Sequence, residues 1–374
     1  MRVRKRVARW IGTVAIIGAS LLPLAVLFAW SGVYSVAASQ GHWAVTEWFL
    51  AFVMRNSVEN RALLVESPAS PEDPDLITLG AAHFRVGCAA CHGAPGVTPS
   101  PIARGMLPAP PDLSASATQW SEAELFWIVQ HGIKYTGMPS WPSADREDEV
   151  WAVVAFLRKL PDLDAAAYGK LALGALSQTR RDGWQIVLAG SEEAASACGR
   201  CHGMDERGPL SGRVPVLHSQ PVEYLVASLE AYANGMRQSG FMQPIVAELT
   251  SQEMRELAAY YAGLERPATT VDSADKSAVE RGRIIALAGV PASEVPPCTS
   301  CHTSQARAEY PRLAGQGAAY LAAQLRLWKR GVNSKTPASQ IMAPIARRLT
   351  DGQVDDIAAF YSQLAESLDG AEAP

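Results

Sequence analysis

Cys298-Thr-Ser-Cys301-His302, followed by Pro311-Arg-Leu-Ala-Gly-Gln316 and Met342-Ala-Pro-Ile345, is the stretch that decides how this chain reads. Cys198-Gly-Arg-Cys201-His202 stands one hundred residues earlier, and Cys88-Ala-Ala-Cys91-His92 earlier still. The three Cys-x-x-Cys-His motifs use all six cysteines of the 374 residues. This spacing reads as covalent attachment of c-type haem. Two thiols form thioethers to the haem, and the adjacent histidine is placed under the iron. A structural zinc site wants two Cys pairs roughly 15–20 residues apart, and these pairs are far more widely separated. Thioredoxin-like chemistry wants a βαβ setting, for which no strand pattern is visible. Simple disulfides do not need a histidine after every second cysteine. The motifs therefore call for three haem c groups on Cys88, Cys91, His92, Cys198, Cys201, His202, Cys298, Cys301 and His302.

Working outward, the chain repeats. Val214-Pro215-Val-Leu-His-Ser-Gln220 matches Tyr310-Pro311-Arg-Leu-Ala-Gly-Gln316, Tyr224-Leu225 matches Tyr320-Leu321, and Met242-Gln-Pro-Ile245 matches Met342-Ala-Pro-Ile345. A more divergent unit precedes these two copies and opens on the first motif. Apolar spacing at i, i+3 and i+4 predicts helices over 278–289, 222–234, 251–264, 318–331 and 351–364, with a closing helix near 147–160 in the first unit. No segment shows sustained period-2 alternation, so the expected fold is all-α. The expected units span 75–161, 179–266 and 277–368, with linkers near 162–178 and 267–276.

A haem iron that only passes electrons needs a second axial ligand. In the third unit Met342 is the sole methionine, 40 residues after His302; the same spacing from His202 reaches Met242. Met204 and Met236 read instead as packing or surface residues. In the first unit Met138, in Tyr135-Thr-Gly-Met-Pro-Ser-Trp141, is preferred over Met106, which lies close behind His92. The expected iron ligands are thus His92 with Met138, His202 with Met242, and His302 with Met342. Thioether ligation raises the potential relative to bis-histidine ligation. Pro215 and Pro311, and more weakly Pro111, could offer a backbone carbonyl to the ligand imidazole N–H; a plain turn is the competing reading. His42, His83, His131 and His218 read as surface or core residues.

Charge separates two ends of the chain. Residues 1–9 carry Arg2, Arg4, Lys5, Arg6 and Arg9 and no acid, which leaves 28 basic against 37 acidic residues beyond them. No basic face or zinc-finger spacing suggests nucleic acid. Between Trp10 and Gln40 no residue is charged, and Ile11–Trp30 is almost wholly apolar, long enough to cross a bilayer as a helix. The arginines before it predict an inward N-terminus. A cleavable signal peptide competes, since Val36-Ala37-Ala38 is an acceptable cleavage site, but the apolar run exceeds the usual signal core of roughly 7–15 residues. The expected layout is a cytoplasmic arm over 1–9, an anchor over 10–38, and a stalk and linker over 39–74. Residues 41–65 read as an interfacial helix with Trp43, Trp48, Phe49, Phe52 and Val53 on its apolar side, or as an ordinary packing helix of the first unit.

These motifs resemble class I cytochrome c in all three units, and the last two together resemble dihaem cytochromes of the c-four type. The third unit carries that family's pattern in Pro311-Arg-Leu-Ala-Gly-Gln316, Tyr320-Leu-Ala-Ala-Gln-Leu325 and Met342-Ala-Pro-Ile-Ala346. The second departs at His218-Ser219 and Ser228-Leu229. The first, with Gly137-Met138-Pro139 and Trp151, is similar to single-haem modules fused to respiratory complexes. The resemblance implies a helical tri-haem electron carrier rather than an enzyme, tethered to a bacterial inner membrane with its haem domains in the periplasm. The implied partners are a redox donor and acceptor: a respiratory oxidase, a quinol-oxidising complex or a dehydrogenase. Two alternatives stand beside this expectation: a fixed cytochrome subunit of a dehydrogenase or terminal oxidase complex, and a haem enzyme with its catalytic haem in the first unit.

Overall fold

A computed structural model describes residues 10, 13, 20–21, 23–68, 72–173, 198–204, 207–247, 249–267, 275–303 and 307–364. The described residues form helices and turns with no strands, only isolated bridges at Ala94–Val97 and Val290–Val295. The helices used below are α1 (Ala44–Ala62), α2 (Pro74–Gly87), α3 (Glu122–His131), α4 (Glu147–Lys159), α5 (Ala165–Leu173), α6 (Val222–Ala233), α7 (Met242–Val246), α8 (Ser251–Gly263), α9 (Lys276–Ala288), α10 (Ala318–Arg330), α11 (Pro337–Arg348) and α12 (Asp351–Gln363).

The predicted helices appear with ends shifted by a residue or two, as fraying ends do. Their starts follow from capping chemistry. Ser121 with Glu124, Thr250 with Glu253, and Thr350 with Gln353 each form a capping box that satisfies the first free N–H groups. The threonine caps lie 100 residues apart, so the repeat extends to the cap.

The first and third units are each built around a crossing of their opening and closing helices. In the first, α2 crosses α4 at Gly80, where a Cβ would collide with the Ala152 carbonyl; in the third, α9 crosses α12 at Gly282, where a Cβ would collide with the Asp356 carbonyl. Glycine is what allows the backbones to approach. The opening helix that the repeat predicts for the second unit falls in 174–197, outside the described residues. Phe84, Val150, Phe156 and Leu160 centre the first apolar core, Leu225, Ala258 and Tyr261 the second, and Ala286, Val354 and Tyr361 the third.

Two local expectations change. Where composition read a linker, α5 packs on α2 and buries Tyr168 and Ala172 in the first core. Alanine-rich sequence with Tyr168, Leu171 and Ala172 on one face is enough for a short docked helix. Met342, which falls between the predicted helices 318–331 and 351–364, sits on α11, which Thr336 caps and Pro337 opens; Pro344 lies inside that helix.

Helix α1 follows the packing reading of 41–65. It packs on α3, burying Val58 and Ala62, with Arg55 stacked 4.7 Å over the Trp120 ring. Trp48, Phe49 and Phe52 remain more than half exposed. Part of the expected anchor lies outside the described residues; residues 23–31 are helical, and no described helix is long and apolar enough to cross a membrane.

Candidate functional site

All twelve sequence-predicted ligating residues line one connected cavity of about 2550 Å³. A single small-ligand pocket occupies roughly 300–1,000 Å³, so this space fits several large groups side by side.

Each motif histidine is oriented in the same way. His92 Nδ1 lies 2.9 Å from the Pro111 carbonyl, His202 Nδ1 3.0 Å from that of Pro215, and His302 Nδ1 3.0 Å from that of Pro311. A carbonyl can only accept, so Nδ1 carries the proton and Nε2 keeps its lone pair for a metal. The two proline carbonyls expected from the repeat are in place, and so is the weaker candidate Pro111. Burial lowers the pKa of His202 and His302, and the proline bonds oppose this only in part. At these two histidines burial favours the neutral imidazole, the form that ligates iron.

The six cysteines form no disulfide. Burial and the neighbouring Cys91 push the Cys88 thiol up to about 12; burial and Cys201 push Cys198 up to about 12; burial pushes Cys298 up to about 11. Reactive or zinc-bound cysteines need the opposite environment, one that favours thiolate. Among the described residues no group of three or more His, Cys, Asp and Glu could hold a bare metal ion. Free half-buried thiols, a preset imidazole and methionines lining the same cavity fit a metal brought in on a covalently linked macrocycle.

Met138, Met242 and Met342 line the cavity as expected, but so do Met106 and Met236. Met106 packs where Gly137 lacks a side chain, beside Met138; a Cβ there would collide with its methyl group. Met204 packs on Gly199 instead. The remaining histidines behave as core or surface groups. His218 is fully buried against Tyr261, His131 stacks on Trp127, and His42 bonds Tyr34 at 2.7 Å. His83 lines the cavity wall without occupying a ligand position.

Sequence reasoning missed the residues that join the units. Between the second and third, Gln316 donates to the Val216 carbonyl (2.7 Å) and accepts from its N–H (3.0 Å). Gln220 does the same to Arg312, at 2.8 and 3.0 Å. Both glutamines are almost fully buried. Val216 and Arg312 directly follow the prolines that hold His202 and His302, so this pseudo-twofold clamp braces both histidine supports. The two glutamines matched in the repeat, which could have flagged them. Arg237 also faces the cavity, with Nη1 on Ser228, Nη2 on Tyr320 and Gln324, and its guanidinium 4.8 Å over Tyr232. Its partners there are neutral, and haem propionates would complement its charge.

Between the first and second units the contacts are of another kind. Glu149 Oε1 accepts from Ser239 Oγ (2.6 Å) and Arg146 Nη1 (2.8 Å), and Oε2 accepts from Gly240 N (2.5 Å). Arg146 also donates to the Gln238 carbonyl at 2.7 Å and chelates Asp148. His83, Trp141 and Phe241 cluster beside this carboxylate.

Comparison with known proteins agrees with this geometry. Residues 75–157 match the family described as "Cytochrome C oxidase, cbb3-type, subunit III", and residues 295–365 match "Cytochrome c". A thiosulfate dehydrogenase electron acceptor of Stutzerimonas stutzeri is 32% identical over 193 residues, covering 50% of this chain and 89% of that protein. Its counterpart in Thiomonas intermedia is also 32% identical over 193 residues, covering 51% and 87%. Cytochrome c4 of Pseudomonas aeruginosa is 30% identical over 180 residues, covering 47% and 88%.

Proposed function

The chain belongs to the cytochrome c family as a multi-haem class I electron carrier, and from that premise we propose a three-haem relay tethered to the bacterial inner membrane. The observation that carries this reading is the threefold recurrence of one support: an imidazole fixed through Nδ1 on a proline carbonyl, beside two free thiols, in one cavity that a methionine also lines. Cys88, Cys91 and His92, Cys198, Cys201 and His202, and Cys298, Cys301 and His302 would each hold one haem. Met138, Met242 and Met342 would complete the iron coordination.

Bound haem iron supplies one-electron Fe(III)/Fe(II) chemistry. The protein's part is to hold the imidazoles in one tautomer, keep the sites apolar and offer each iron a histidine and a methionine. With both of those side chains bound, no coordination site would be left for a substrate, in keeping with carrier relatives rather than an enzyme. Met342→Ala tests the assignment: the third haem stays attached, loses its methionine–iron charge-transfer band and titrates at a lower potential. An unchanged potential overturns Met342 as ligand.

The uncharged run Trp10–Gln40 after a basic arm supports a single-pass anchor with the haem domains in the periplasm. The exposed apolar face of α1 would lie against that membrane. The named relatives support a periplasmic dehydrogenase as donor, such as one oxidising thiosulfate. The match of residues 75–157 to an oxidase subunit supports a terminal oxidase as acceptor, and it equally favours a second reading, a fixed subunit of such a complex. Mild detergent extraction followed by mass measurement separates the two. A lone species of the 40.0 kDa chain with its haems supports the relay, a larger assembly supports the subunit, and release without detergent overturns the anchor.

A further inference from the structure

We propose that electrons cross between the first and second haem sites through the contact of Trp141 with Phe241, with His83 as the third ring of the bridge. The proposal rests on the three-haem reading above. The Trp141 and Phe241 rings meet edge to face with centroids 5.6 Å apart, and His83 lies 4.9 Å from the first and 4.5 Å from the second. All three rings line the cavity that holds both motifs. Each is tied by sequence to a ligating position. Trp141 follows Met138 by three residues, Phe241 immediately precedes Met242, and His83 lies five residues before Cys88. The rings thus connect the methionine segment of the first site to that of the second by van der Waals contact.

Electron transfer between fixed centres falls steeply with the gap and is faster through packed atoms than through solvent or empty space. Trp141 is 8% exposed and belongs to the first apolar core, with Phe241 packed against it. The contact is also pinned. Glu149 Oε2 takes the Trp141 indole N–H at 3.4 Å and the Gly240 N–H at 2.5 Å, so one carboxylate holds the ring and the backbone next to Phe241. A Cβ at Gly240 would collide with the indole, and glycine there is what admits it. One electron leaves the ferrous site on one side and reduces the ferric site on the other. No bond is made or broken, no proton moves, and the rings are not themselves oxidised.

The test uses the full-length haem-loaded protein. An electron is photo-injected and its redistribution followed, alongside haem content, a redox titration and the magnetic coupling between ferric haems. Trp141→Leu and Phe241→Leu are expected to slow the step between the first and second sites about tenfold. Three haems, three unmoved potentials and an undiminished step between the second and third sites should accompany that loss. Trp141→Phe keeps a ring in place and stays within about threefold of the parent. Phe241→Leu is the milder change and carries the test if Trp141→Leu does not fold. An unchanged rate in a leucine variant with three haems and unmoved potentials overturns the bridge and points to another route, such as Tyr168 with Arg85 and Arg200 between the first two motifs. Fewer than three haems in the parent protein would instead sink the three-haem reading, and the bridge with it.

Discussion

The two junctions between the three Cys-x-x-Cys-His units solve the same problem with different residues. Between the second and third units the contact is reciprocal: Gln220 and Gln316 each clamp the backbone just past the other's proline. An interface made by one surface patch meeting its own copy has this self-complementary form, and a duplicated domain supplies both halves. Between the first and second units nothing is reciprocal. A carboxylate, an arginine and three rings from the divergent unit grip the segment just ahead of Met242. The symmetric junction braces the histidine side of its two sites, whereas the asymmetric junction braces methionine segments. Duplication therefore accounts for one junction, and the other is made by residues that the repeat does not supply.

The strongest way to break this comparison is to remove the glutamines. Gln220→Ala and Gln316→Ala each strand a buried backbone N–H and C=O, at about 1–3 kcal/mol per variant. The two losses should be nearly equal in calorimetric or denaturant unfolding. Markedly unequal losses would show that the twofold likeness is only apparent. Glu149→Gln, smaller in effect because an amide oxygen remains to accept and Arg146 keeps Asp148, should weaken only the first junction, by about 1 kcal/mol. Hydrogen exchange should rise in residues 238–243 while 214–220 stay protected; equal loosening of both segments would contradict independent junctions.

A further expected effect is on pH dependence. Burial lowers His83 to about 4 from its ordinary 6.5. The unfolded chain therefore takes up a proton below about pH 6.5 while the folded one does so only near 4, and stability declines as pH falls through that window. His83→Phe should flatten the decline in melting curves taken across it. An unaltered pH profile would place the titrating group elsewhere.

How far these features could be read in advance depended on whether the cause was local. The helices follow from periodicity and caps such as Thr250 and Thr350, and the histidine supports from a proline at a repeated distance. Helix α5 was hidden because alanine-rich sequence reads as a linker until Tyr168 finds a core to enter. Met342 lies on a helix that Pro344 argues against locally and Thr336 starts all the same. Glu149, Trp141 and Phe241 had no shared motif, since 92 or more residues separate Glu149 and Trp141 from Phe241 and only tertiary packing brings them together. The glutamines stood in plain view as a matched pair, but their role requires knowing that the two copies face each other.

The central claim is that three like-built sites each hold a covalent haem. Haem iron per polypeptide, measured on the purified full-length protein from the ferrous haemochrome spectrum and checked by the intact mass, tests it most directly. Three haems per chain are predicted, falling to two when Cys88 and Cys91 are both replaced by alanine. Two haems in the parent protein, unaltered by that replacement, would contradict the account.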